Sequence, residues 1–137
     1  MTAYCPNKNV NSDDINKAEV LLKSVGGCIA IEERLFSVFT AVAGCGPAFV
    51  YMFIDAISEA AVRFGMDKKT ALYAAGQTVL GSASALMQSG EHPYSLVDKV
   101  CSPGGATVEG VCALHENGFV NAVLSAVSAS YNKATEL

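Results

Sequence analysis

The sequence predicts an all-α domain, a helical bundle whose apolar faces call for cover by a second copy of the same chain. Three observations carry this. Apolar residues recur at helical spacing through most of the 137 residues, and Gly and Pro punctuate the runs one helix length apart. No apolar–polar alternation is long enough to build a sheet. Finally, 51% of residues are hydrophobic and only 16% charged, against about 25% charged in an average soluble domain. One short domain of that composition has too few helices to enclose its own apolar faces, and an obligate partner would supply the cover.

The elements follow in order. Residues 1–10 read as a tail with a short β-like piece before Pro6. Asn11 or Ser12 caps the next helix, and Asp13 and Asp14 suit the positive end of its dipole. Its apolar face, Ile15, Ala18, Val20, Leu21, Leu22 and Val25, ends at Gly26-Gly27. "CIAI", Cys28 to Ile31, is a lone extended segment. A helical period resumes at Glu32 and is interrupted at Gly44-Cys45-Gly46-Pro47, a tight break whose proline fits the first turn of the following helix. That helix stops at Gly65, and Asp67 caps the next, which is rich in Ala, Gly and Ser and ends before Gly90. Both helices are apolar nearly all round, the mark of helices enclosed by neighbours. Pro93 opens a short helix, and two closing helices follow "SPGGAT" and Gly118.

Several functional classes are excluded. A net charge of −4 without a Lys/Arg cluster offers nucleic acid no basic face. Two runs, 35–54 and 70–90, approach the length of a membrane span. The first is broken by Gly-Cys-Gly-Pro and the second carries Gln77 and Gln88, so no membrane partner is expected. The cysteines at 5, 28, 45, 101 and 112 form no CxxC and lack ligand spacing with His92 or His115, so no metal site is expected. They read as reduced thiols in a cytoplasmic protein.

"GCGPAF" resembles half of a dinucleotide fingerprint but follows a helical run and has Phe49 where a third Gly or Ala belongs. Asp55 and Glu59 lie one helical turn apart, with Arg63 one turn further, and read as a charge ladder. His92 and His115 read as surface or capping residues. "SPGGAT", Ser102 to Thr107, admits two readings on its residues alone. It is a Gly-rich turn before a helix, or a loop whose successive N–H groups and helix dipole hold a carboxylate or phosphate.

"TAVAGCGPAFVYMFIDAISEAAVRFGM", "QTVLGSASALMQSGEHPYSLVDKV" and "SPGGATVEGVCALHENGF" together resemble the C-terminal domain of pyrroline-5-carboxylate reductases, in order and spacing. "MTAYCPN" resembles the junction with that family's N-terminal Rossmann domain. The resemblance implies residues 1–10 as a remnant of the junction and 11–137 as a helical dimerisation and substrate-binding domain. It implies a helical bundle that interlocks with a second copy as a homodimer, with higher assembly in some members, and a small cyclic imino acid as substrate. The intact enzyme would reduce 1-pyrroline-5-carboxylate to L-proline with NAD(P)H.

By the same resemblance the substrate carboxylate is held by backbone N–H groups around Gly105, Ala106 and Thr107. Gly104 belongs to the same substrate-binding loop, Ser102 helps shape it, the Thr107 hydroxyl sits near the ring nitrogen as the catalytic residue, and Glu91 lies close to the cleft. Cys45 stands where the family commonly has Ser, which weakens any hydrogen bond to a cofactor there. No Gly-rich loop after a strand is present, so this chain alone is expected to bind no NAD(P)H and to be inactive. The alternatives are a stand-alone helical assembly module and the helical domain of a related two-domain reductase.

Overall fold

The computed structural model describes residues 1–136. The chain divides into two compact units, Met1–Pro47 with Ser125–Leu137, and Ala48–Leu124.

The first unit opens with strand β1, Thr2–Tyr4, which pairs in parallel with β2, Cys28–Ala30, so that Thr2 faces Cys28 and Tyr4 faces Ala30. Parallel strands need a crossover, and helix α1, Ser12–Lys23, supplies it. The "CIAI" segment expected to stand alone is therefore paired. Its partner is the β-like piece at the N-terminus, a long-range pairing that no local pattern announces. Asn11 caps α1 by accepting the Asp14 N–H at 2.9 Å. Ile15 and Leu22 are half-buried, whereas Val20, Leu21 and Val25 from the same apolar set are exposed.

A 3₁₀ turn, Glu33–Leu35, leads into the short helix α2, Phe36–Phe39, and then a π-helical turn, Thr40–Gly44. The N–H of Cys45 closes this turn on the Thr40 carbonyl at 2.9 Å. The tight break expected at Gly44-Cys45-Gly46-Pro47 is thus a π turn that keeps the backbone right-handed, with Cys45 at φ −89°, ψ −29°. One extra residue per turn absorbs the interruption without a loop.

The second unit is all helical. Helix α3, Gly46–Arg63, carries Pro47 in its first turn, where the missing N–H has no helical partner to lose. Gly65, at φ +99°, turns the chain. Asp67 then caps α4, Lys68–Ser89, by accepting the Thr70 N–H at 3.0 Å. The hydrogen bonds of the Thr70 side chain and backbone hold the Asp67 carboxyl below its ordinary pKa. Gly90, left-handed at φ 64°, ends α4. Helices α5 (Pro93–Val100), α6 (Ala106–Glu116) and α7 (Phe119–Ala134) complete the chain, the last running on into the first unit.

The α3–α4 hairpin is pinned by Lys68. Its ammonium donates to Asp55 Oδ1 at 3.1 Å, to Ser58 Oγ at 3.0 Å and to Glu59 Oε1. Ser58 is fully buried, and its hydroxyl donates to the Asp55 carbonyl at 2.8 Å. The charge ladder expected to run from Asp55 through Glu59 to Arg63 closes instead on Lys68, whose ion pairs are with Asp55 and Glu59. The next helix delivers a cation to both carboxylates at once, and spacing along α3 alone did not reveal it.

Among the described residues only Ala41, Ala71, Ala75 and Ser58 are buried. On α3 and α4, Tyr51, Met52, Tyr73 and Met87 are each at least 69% exposed. Two separate compact bodies of these sizes would together expose about 8,200 Å², whereas this chain exposes 10154 Å². The excess of roughly 2,000 Å² lies within what one partner of an obligate interface buries.

Candidate functional site

The loop between α5 and α6 is built from its glycines and proline. Pro103 and Gly104 are the central residues of a turn that the Gly105 N–H closes on the Ser102 carbonyl at 3.0 Å. Gly104 sits at φ +66°, as a type II turn with proline at its second position requires of its third residue. Gly105 is at φ −81°, ψ 164°, which any residue adopts, so its need for glycine is spatial. A Cβ there would lie 2.3 Å from Ser102 Oγ and 3.1 Å from the Ser102 carbonyl oxygen. The serine side chain occupies the room that glycine leaves.

Gly105 is also the N-cap of α6, and no side chain caps that helix. The first N–H groups of a helix have no intrahelical acceptor, so those of Ala106, Thr107 and Val108 open toward the loop at the positive end of the dipole. Thr107 is an exposed residue inside the first turn rather than the cap. The Gly105 N–H is engaged by the Ser102 carbonyl, so the helix-start N–H groups without an intrahelical acceptor are the next three. Of the residues expected to form the site, the structure thus brings Ser102, Gly104, Gly105, Ala106 and Thr107 into one turn-and-helix-start.

Glu91 is held elsewhere. Its carboxylate is clamped by Lys99, with Nζ 2.6 and 2.7 Å from the two oxygens, and its N–H donates to Ser89 Oγ at 3.2 Å. Lys99 escaped sequence reasoning, because a pair eight residues apart falls outside the usual helix-face spacings. His92 caps α5, its Nδ1 accepting the Tyr94 N–H at 3.2 Å, and Pro93 follows at the first helical position. Tyr94 stacks between His92 and His115, at centroid distances of 6.1 and 6.4 Å. His115 thus joins an aromatic stack in addition to its place in the last turn of α6.

A dinucleotide fingerprint is not formed among the described residues. Among the described residues, the parallel strand that leads into a helix passes through Cys5-Pro6-Asn7 without a glycine, and the glycines at 44 and 46 follow helical backbone. Neither forms a phosphate cradle at a strand–helix junction. No group of three or more His, Cys, Asp or Glu side chains among the described residues is arranged to hold a metal.

A helical unit whose long helices leave large apolar side chains exposed belongs to the class of helical assembly domains. Residues 33–137 match the family described as pyrroline-5-carboxylate reductase dimerisation, and the chain belongs to that family. It is 40% identical over 137 residues to a pyrroline-5-carboxylate reductase of Synechocystis, covering all of this chain and 51% of that one. A reductase of the same description from Aquifex aeolicus is 44% identical over 98% of this chain and 51% of its own. Among solved structures, a pyrroline-5-carboxylate reductase from Coxiella burnetii superposes with a TM-score of 0.93 at 31% identity, over 98% of this chain and 50% of that one. The Plasmodium falciparum pyrroline carboxylate reductase, solved with NADP bound, gives 0.87 at 36% identity over 96% and 50%. The chain spans about half the length of the relatives it matches.

Proposed function

We propose that this chain is the dimerisation and substrate-binding half of a reductase that converts 1-pyrroline-5-carboxylate to L-proline with NAD(P)H. The observation that carries the reading is the uncapped start of α6 behind the Ser102–Gly105 turn. Three N–H groups converge there at the positive end of a helix dipole, a fit for one carboxylate. The Thr107 hydroxyl, donor or acceptor, hydrogen-bonds the ring nitrogen of the bound imine. Gly104 and Gly105 keep side chains out of the approach, and Ser102 sets the turn. Glu91, at the other end of α5 and paired with Lys99, is assigned by the family resemblance to the surroundings of the same site. Reducing equivalents come from NAD(P)H held by another part of the intact enzyme, and these residues bind and orient the substrate. The chain by itself reduces nothing.

A second copy of the chain covers the exposed faces of α3 and α4, which accounts for the roughly 2,000 Å² of surplus surface. Helical backbone from Glu33 to Arg63 is by length and composition able to cross a membrane, with a mean hydropathy of 1.7. Burial against a partner helix satisfies the same side chains in a cytoplasmic enzyme. The β1–α1–β2 unit belongs to a larger parallel sheet, since two strands of three residues are marginal alone and Val20, Leu21 and Val25 of α1 lie open. This extends the junction with the nucleotide-binding domain to about residue 31, just before the family match begins at 33.

Titration of the chain with L-proline, followed by backbone amide shifts, tests the site. Ala106, Thr107 and Val108 are expected to move together and saturate, and unmoved signals at saturating proline would overturn the assignment. Sedimentation at micromolar concentration is expected to show a dimer, and a monomer would overturn the second-copy reading.

A further inference from the structure

We infer that Asn117–Gly118, the corner between α6 and α7, is a self-modification site that the fold keeps closed. Opening of the corner lets the asparagine deamidate, and the product holds it open. Among the asparagines only Asn117 precedes a glycine. With no Cβ on Gly118, nothing shields its amide nitrogen from the side chain before it. In the reaction the Gly118 nitrogen gives up its proton and bonds to the Asn117 side-chain amide carbon. The bond from that carbon to Nδ2 breaks and ammonia leaves with the proton, giving a cyclic imide. Water, the one co-reactant, then opens the imide at either carbonyl, to aspartate or to its β-linked isomer.

Three features of the closed corner block ring closure. The Gly118 N–H, whose proton must depart, donates to the His115 carbonyl at 3.0 Å. Asn117 Nδ2, the leaving group, donates to the Ala113 carbonyl at 2.8 Å, which draws the side chain back along α6. Asn117 itself sits at φ −87°, ψ 10°, so the Gly118 nitrogen points away from the Asn117 side chain. Bringing the two together takes a large rotation about the Cα–C bond, and both hydrogen bonds break with it. That rotation also moves Gly118, left-handed at φ +73°, whose carbonyl accepts the Ala122 N–H at 3.0 Å in the first turn of α7. Asn117 is exposed, so water reaches it freely and the bonds of the corner are the barrier. The modification rate therefore tracks the fraction of time the corner is open. The product cannot rebuild the same cap. Aspartate has no N–H to give the Ala113 carbonyl, and its charge lies at the negative end of the α6 dipole. The β-linked isomer adds a methylene to the backbone, which displaces Gly118 from the His115 carbonyl.

The test incubates the chain in mildly alkaline buffer, folded and in denaturant, and quantifies aspartate and its isomer at position 117 by peptide mass spectrometry. The folded chain is expected to convert at least about tenfold more slowly, the scale of two neutral hydrogen bonds that must open together. Equal rates would overturn the shielding, and no conversion in denaturant would overturn the site. Asn117→Asp, the product made directly, is then compared with Asn117→Ala, which loses the same side-chain bond without gaining a charge. Amide hydrogen exchange at Gly118 and Ala122 is expected to quicken in both, and about threefold more in Asn117→Asp. An aspartate variant as well protected as the alanine variant would overturn the claim that the product holds the corner open.

Discussion

Replacing Gly105 with alanine tests whether space, rather than backbone conformation, selects glycine at the heart of the loop. At φ −81°, ψ 164° an alanine is unstrained. At such positions Gly→Ala usually stabilises, by about 0.4–1 kcal/mol, because the unfolded chain loses freedom. Here the new Cβ would lie 2.3 Å from Ser102 Oγ, about 1 Å inside ordinary contact, and 3.1 Å from the Ser102 carbonyl oxygen. The hydroxyl can escape by rotating, at a cost of about 0.5–1.5 kcal/mol if it leaves its rotamer. The carbonyl has to give by a few tenths of an ångström while remaining the acceptor of the Gly105 N–H. Together these put the steric cost in the range of about 1–3 kcal/mol seen for overpacking. The net expectation is a destabilisation of about 1 kcal/mol, a drop of roughly 3–5 °C in thermal midpoint for a domain of this size.

The assay is denaturant unfolding at fixed chain concentration, since association contributes to stability. Ser102→Ala and the double variant complete a cycle. Removing Oγ leaves only the 3.1 Å contact, so more than half of the loss should return when Gly105→Ala is made on a Ser102→Ala background. A Gly105→Ala chain at least as stable as wild type, or a cycle with no coupling, would refute the spatial argument.

Three further outcomes are expected. The Tyr4 phenol donates to the Glu19 carboxylate, and that hydrogen bond, with smaller contributions from burial and charge, pushes its pKa up from 10.0 to about 12. A raised folded value stabilises fully below pH 10 and loses its effect as the pH climbs through 12. Ultraviolet titration of wild type against Tyr4→Phe should therefore show a missing ionisation near pH 12, and one near 10 would remove the pairing. The carboxyl of Asp67 is depressed by Thr70, so its contribution is present above the ordinary aspartate value and lost as the pH falls through the folded one. Asp67→Asn, which keeps a capping oxygen, should flatten that acid slope in unfolding measured between pH 5 and 3, and an unchanged slope would assign it to other groups. Ser58→Ala deletes a fully buried hydroxyl bonded to both the Asp55 carbonyl and Lys68, and should cost about 1 kcal/mol in the same unfolding assay. A variant as stable as wild type would mean that Lys68, Asp55 and Glu59 hold the hairpin without it.

Much of the fold was legible because the devices that bound its helices are local. Asn11, Asp67, Pro47, Pro93, Gly65 and Gly90 act within a turn of their own positions, through a cap bond, a fixed φ or a left-handed backbone. The loop was legible for the same reason, since Ser-Pro-Gly-Gly dictates a turn and the following apolar period a helix. What could not be read joins residues distant in sequence. The strand at 2–4 finds its partner at 28–30, and Lys68 takes carboxylates nine and thirteen residues earlier.

The sequence by itself determined a helical chain too apolar to stand alone, together with a glycine-rich turn feeding a helix start. Both follow from composition and from backbone preferences that act over a few residues. Only the tertiary structure decided that β1 pairs with β2, that Lys68 closes on Asp55 and Glu59, and that Glu91 is held by Lys99. Those are matters of direction and distance between groups. They depend on how separate elements are set against one another, which no single stretch of residues encodes.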